Sequence, residues 1–81
     1  MKATLENIRE LVHKTIDEGW VTDEDIKLDT PFYELGFDDL DEMVFTMNCE
    51  KHFNIVIPEK VEYSITTVQQ AIDEINKLIK Q

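Results

Sequence analysis

Apolar residues recur at helical spacing in three stretches of the chain and lose that rhythm in a fourth. Leu5, Ile8, Leu11, Val12 and Ile16 fall on one stripe, which predicts an amphipathic helix from Leu5 to about Glu18. Thr4 supplies a cap for its first turn and Gly19 a stop. Leu40, Met43, Val44 and Met47 repeat at i, i+3, i+4 and i+7, predicting a second helix from about Asp39 to His52 that Phe53 extends. Asp39 followed by Glu42 reads as an Asp form of the capping box, and Gly36 gives the backbone room to turn just before it. Met43 and Met47 suit an adaptable binding face, because Met re-packs easily, but their helical spacing assigns them to the core. Val68, Ala71, Ile72, Ile75, Leu78 and Ile79 make the cleanest stripe and predict the last helix. Thr66 or Thr67 caps it, with Gln70 completing a box from Thr67.

From Trp20 to Phe37 no period holds. Thr22-Asp23-Glu24-Asp25 can start a single turn, which Asp29-Thr30-Pro31 then breaks. A loop this long inside a compact domain is usually functional or packed down. This one carries Trp20, Ile26, Leu28, Phe32, Tyr33, Leu35 and Phe37, so it is expected to be pinned to the bundle by its aromatics. Asn54-Ile55-Val56-Ile57-Pro58 is apolar and strand-like but has no second strand to pair with. Pro58 suits the first position of a short helix from Pro58 to Glu62. The expected fold is therefore all-α: a small helical bundle of three longer helices and one short one, with a long loop between the first two. Residues 1–81 read as one domain.

Composition narrows the function. The hydrophobic fraction of 42% suits a globular chain and is too high for a disordered acidic tail. One modest core leaves little material to wall off a deep polar active site, which counts against most enzymes. Eighteen acidic residues against 8 basic ones give a net charge of −10. That makes nucleic acid and anionic membrane surfaces poor partners and a basic protein face the natural complement. Cys49 is the one cysteine, so neither an internal disulfide nor a cysteine-rich zinc site is expected. No apolar run approaches a membrane span, and residues 1–6 show no signal-peptide stretch. The expected location is cytoplasmic and the expected state a monomer.

The most conspicuous chemistry is the acidic cluster Asp38-Asp39-Leu40-Asp41-Glu42. One reading is a divalent-ion site or a docking patch for a basic partner. The other is helix N-terminal chemistry, in which carboxylates complement the macrodipole for about 0.3–1 kcal/mol each. The spacing does not match a calcium-binding loop, and no metal is expected. Cys49 and His52 stand at i, i+3, but a thiolate–imidazole pair needs an orienting group and an oxyanion site that the sequence does not offer. A small buried hydrophobe is the plainer role for Cys49. His13 sits among polar neighbours and reads as a surface histidine.

At Leu35-Gly36-Phe37-Asp38-Asp39-Leu40-Asp41 the chain resembles the acyl carrier proteins, whose signature reads Leu-Gly-x-Asp-Ser-Leu-Asp. The approach Asp29–Leu35, the Phe53–Pro58 segment and the stretch from Ile65 to Asn76 are similar to theirs as well. The resemblance implies an acyl-carrier-type bundle and no enzymatic activity. It also implies a 4′-phosphopantetheine arm on the motif serine, and acidic docking onto basic patches of synthase or transferase enzymes. At the serine position this chain has Asp39. A serine hydroxyl forms a stable phosphodiester with the arm, whereas a carboxylate would give an acyl phosphate that is labile in water. Asp caps a helix as well as Ser does, so the fold is expected to survive while the chemistry is lost, and no cofactor is expected. The family usually has a glutamate where this chain has Val44, and the loss of both points to natural divergence.

Three functions follow. The first is a fatty-acid or polyketide type carrier fold that no longer carries acyl thioesters and acts by docking through Asp38, Leu40, Asp41, Glu42 and Met43. The second is an ordinary acyl carrier whose attachment serine has been replaced. The third, from another class, is an acidic metal-binding or sensor protein.

Overall fold

We describe residues 1–17 and 19–79 of a computed structural model. Among these residues the chain forms α1 (Leu5–Thr15), α2 (Asp39–Phe53), α3 (Glu59–Ser64) and α4 (Val68–Ile79), with two short 3-10 turns at Asp23–Asp25 and Phe32–Leu35. The expected all-α bundle is the fold observed. A lone antiparallel bridge between Pro31 and Thr67 is the extent of β pairing among the described residues.

α1 begins as its sequence directs. Thr4 Oγ1 accepts from the Asn7 amide at 3.3 Å, and Asn7 Oδ1 accepts from the Thr4 amide at 3.0 Å. The helix ends at Thr15, short of the expected Glu18, because Ile16 already turns extended to bury itself against the core; Glu18 lies outside the described residues. Ile8, Leu11 and Val12 form its buried face. α4 buries Val68, Ala71, Ile72 and Ile75, with Leu78 and Ile79 packed at the edge. Gln70 and Thr67 make the expected box at its start, at 3.0 and 3.2 Å. Asn76 clamps the chain start to α4, accepting from the Ala3 amide at 2.8 Å and donating to the Ala3 carbonyl at 3.2 Å.

The long loop is pinned, though differently from expectation. Val21, Ile26, Phe32, Leu35 and Phe37 are buried, whereas Trp20, Leu28 and Tyr33 stay exposed. Its backbone is held by the start of α4: Phe32 donates to the Thr66 carbonyl, Val68 to that of Thr30 and Gln69 to that of Leu28, at 2.9, 3.0 and 2.9 Å. These bonds satisfy amides that a freely running loop would leave to water. α3 runs Glu59–Ser64, two residues beyond the expected end, with Pro58 as its cap residue and no buried side chain.

α2 departs most from its sequence pattern. Its span is as expected, but Leu40, Met43, Val44 and Met47 face solvent, at 64, 53, 37 and 50% exposure. Buried instead are Phe45, Cys49 and Phe53, at i, i+4 and i+8. The helix is apolar on two faces, and the aromatic one goes inward. Phe45 meets Phe32 and Phe37 with ring centroids 4.9 and 5.8 Å apart, and Phe32 and Phe37 are 5.3 Å apart. A buried phenyl ring removes more area from water than Met or Val, and such ring pairs add about 0.5–1.5 kcal/mol beyond it. Truncation should tell the two faces apart. Phe45→Ala is expected to lower unfolding free energy in a denaturant titration by about 3–5 kcal/mol. Met47→Ala is expected to change it by no more than about 0.5 kcal/mol.

Candidate functional site

The acidic cluster lies where the loop feeds into α2. The 3-10 turn at Phe32–Leu35 closes on Gly36, whose φ of 87° is left-handed and suits glycine. A Cβ at Gly36 would sit 3.3 Å from Trp20 Cζ2, so the half-exposed indole covers the open side of this turn. Phe37 is buried and anchors the next residue, which makes Asp38 the helix cap. Asp38 Oδ1 accepts from the Asp41 amide at 2.8 Å, and Asp41 Oδ2 accepts from the Asp38 amide at 3.1 Å. The capping box is therefore Asp38 with Asp41, one residue earlier than the Asp39 and Glu42 pair expected. Both pairs have the right spacing, and burial of Phe37 selects between them.

That shift leaves Asp39 as the first helical residue, its side chain exposed and outside the cap. Glu42 also projects from this first turn. Its carboxyl is raised above the ordinary carboxylate range, first by partial burial and then by the charges of Asp39, Glu62 and Asp38. Leu40 and Met43 continue the surface outward, joined by Val44 and Met47. Of the site residues expected from sequence, Asp39, Glu42 and Met43 share one groove of about 530 Å³. Glu59, Glu62 and Tyr63 of α3 form its other wall. Sequence reasoning missed the α3 side; the one signal was a pair of glutamates at i, i+3 just after Pro58.

Beneath the groove lies an apolar cavity of about 20 Å³, lined chiefly by the phenylalanine trio, Cys49, Ile57, Ile65 and Ile75, with Glu42, Thr46 and Glu62 at its rim. That is room for about one water molecule. Cys49 forms no reactive pair with His52. Its thiol is 1% exposed and pushed up to about 12, by burial first and the charge of Glu50 second. His52 instead stands on the surface, edge-on to Phe53 with centroids 4.7 Å apart. His13 is exposed as expected, with Nε2 2.9 Å from Asp23 Oδ1. Among the described residues no group of three or more His, Cys, Asp or Glu side chains is arranged to hold a metal ion.

The two neighbouring aspartates have different jobs and should respond differently to substitution. Asp38→Ala removes a cap and is expected to cost about 1 kcal/mol in a thermal or denaturant melt. Asp39→Asn, which touches no cap bond and relieves repulsion on Glu42, is expected to shift stability by less than about 0.5 kcal/mol.

Comparison with known proteins gives a consistent picture. The family model described as a phosphopantetheine attachment site matches residues 6–75. Acyl carrier protein 5, chloroplastic, of Arabidopsis thaliana is 35% identical over 78 residues. That alignment takes in 96% of this chain and 55% of the relative, so the chain spans about half the length of that curated protein. Among solved structures, the hexanoyl acyl carrier protein of the actinorhodin polyketide synthase of Streptomyces coelicolor superimposes with a TM-score of 0.86 at 25% identity, covering 99% of this chain and 94% of that one. Its acetyl form gives 0.78 at 25% identity, covering 96 and 92%. The residues at the start of α2 do not fit a serine-linked group. The only serine in the chain is Ser64, at the end of α3, where its hydroxyl donates to the Val61 carbonyl at 2.7 Å. From Pro31 to Phe45 there is neither serine nor threonine. The match over residues 6–75 and the shared bundle nonetheless make the classification plain: the chain belongs to the phosphopantetheine attachment-site family of acyl carrier proteins, which are carriers and not catalysts.

Proposed function

We propose that this chain is a carrier-fold protein that docks onto carrier-recognising enzymes without bearing a 4′-phosphopantetheine arm. In this reading residues 1–81 are one carrier domain, and Asp39 occupies the family's attachment position. The observation that carries it is the donor set at the start of α2: Asp38, Asp39, Asp41 and Glu42, with no hydroxyl among them. A carboxylate there cannot form the stable phosphodiester that a serine forms, so the protein carries no acyl thioester.

Docking rests on the outward face of α2. Leu40 and Met43 supply apolar area, which Val44 and Met47 enlarge, and Asp38, Asp41 and Glu42 supply charge. The cap bonds hold Asp38 and Asp41 in place, which limits the side-chain entropy lost on binding. The complementary surface is an apolar patch rimmed by Lys and Arg, as on an acyl-synthase or transferase enzyme. The net charge of −10 speeds encounter with such a face and disfavours nucleic acid and anionic membranes. A fatty-acid or polyketide type setting is supported by the names of the relatives. No described helix is long and apolar enough to cross a membrane. A cytoplasmic, monomeric state remains part of this proposal, and the Arabidopsis relative is named as chloroplastic.

The second reading, an ordinary acyl carrier whose serine has been replaced, draws support from the match over residues 6–75. An Asp codon at position 39 in the native coding sequence rules it out. Intact mass tests the docking proposal after incubation with coenzyme A and a broad-specificity phosphopantetheinyl transferase. The protein as it stands is expected to gain nothing and Asp39→Ser to gain one arm. An arm on the unchanged protein overturns the proposal. Failure of both to gain one shows that the recognition surface has diverged along with the nucleophile.

A further inference from the structure

Sulfur in this chain sits in three methionines and one cysteine. Met43, Met47 and Cys49 all lie on α2, and the rotation of that helix gives them opposite surroundings. Cys49 faces inward beside the phenylalanine trio. Burial first, and the charge of Glu50 second, push its thiol up to about 12. At neutral pH it is protonated, whereas the thiolate is the form that oxidants attack. Met43 and Met47 face outward, each about half exposed, at i and i+4 on one side of the helix. A thioether has no proton to lose, so its oxidation depends on access alone. The usual order of sulfur reactivity is therefore inverted on α2: the thiol is sheltered and the thioethers are open.

Neither methionine serves the interior. Both lie outside the buried core and outside the half-buried residues packed against it. They are two of the four side chains in the outward apolar strip, and Leu40 and Val44 offer no comparable chemistry. Met43 also lines the acidic groove against α3. A sulfoxide replaces an apolar, flexible side chain with a polar one whose oxygen accepts hydrogen bonds. Water held there must be stripped before an apolar patch can settle on the strip. Oxidation of these two residues thus alters the face and leaves the fold intact.

We propose that Met43 and Met47 are a peroxide-sensitive modification site that turns the outward face of α2 from apolar to polar and so weakens docking. The switch rests on the docking reading above. The oxidant is a neutral hydroperoxide, which a net charge of −10 does not repel as it repels an anionic one. A sulfur lone pair attacks the terminal oxygen of the peroxide. The S–O bond forms as the O–O bond breaks, and the proton of the transferred oxygen passes to the departing oxygen, which leaves as water or an alcohol. Sulfur loses two electrons and the peroxide gains them. The reverse step takes two thiols from a sulfoxide reductase system, which become a disulfide as the oxygen leaves as water.

The test treats the full chain with dilute hydrogen peroxide and removes it before any partner is added. Peptide mass mapping is expected to find one added oxygen on each of Met43 and Met47 while Cys49 keeps a free thiol. The thermal melt is expected to match that of the untreated chain. Affinity for a phosphopantetheinyl transferase without coenzyme A, read from amide shifts, is expected to fall by about tenfold or more. Incubation with a thiol-dependent sulfoxide reductase is expected to restore it. In the double variant Met43→Leu, Met47→Leu the exposed Met1 stays oxidisable, yet affinity is expected to be equal before and after peroxide, whatever its starting value. Oxidation of Cys49 ahead of the two methionines overturns the proposal. So does undiminished binding by the oxidised chain, or peroxide sensitivity retained in the double variant. An untreated chain that never binds the transferase instead defeats the docking reading, and the switch falls with it.

Discussion

The contact of Phe45 with Phe32 and Phe37 sets the rotation of α2, and most of the surface chemistry follows from it. Burying that ring carries Cys49 and Phe53 inward on the same face. It also turns Leu40, Met43, Val44 and Met47 outward, beside the carboxylates of the first turn. This apolar strip next to fixed negative charge is what the proposed docking role rests on. Phe32 and Phe37 reach this cluster only because the loop that bears them is stitched to the start of α4 by backbone hydrogen bonds. The long connection therefore acts as scaffold, although its regular structure is limited to two 3-10 turns.

The start of α2 has the architecture of a carrier and bears carboxylates with no hydroxyl among them. Asp38 and Asp41 satisfy the helix end between themselves, which leaves Asp39 with no structural duty. A residue with no such duty can change from hydroxyl to carboxylate without disturbing the fold. Gly36 and Trp20 hold the turn ahead of it, and the buried Phe37 fixes the register of the cap. Helix capping and the exposed side chain at position 39 then depend on different atoms, and one can change without the other.

Much of this was legible in the sequence. The stripes of α1 and α4 and the caps at Thr4 and Thr67 rest on local chemistry that needs no tertiary partner. The resemblance at Leu35–Asp41 pointed to the family. The rotation of α2 was not legible, because Leu40–Met47 and Phe45–Phe53 both run at helical spacing, and only the distant Phe32 and Phe37 decide between them. The cap register was ambiguous for the same kind of reason: two aspartates in a row each find an acid three residues on. The α3 wall of the groove, Glu59, Glu62 and Tyr63, depends on how a six-residue helix folds back across α2, which no local pattern encodes.

If the outward face of α2 binds carrier-recognising enzymes on its own, contact must be visible with no arm and no substrate present. The most direct measurement is an NMR titration of the unchanged, isotope-labelled protein with a phosphopantetheinyl transferase in the absence of coenzyme A. The account predicts amide shifts that saturate and concentrate between Asp38 and Met47, with smaller changes along α3. Shifts that are absent, or that concentrate on α1 and α4 instead, would contradict it.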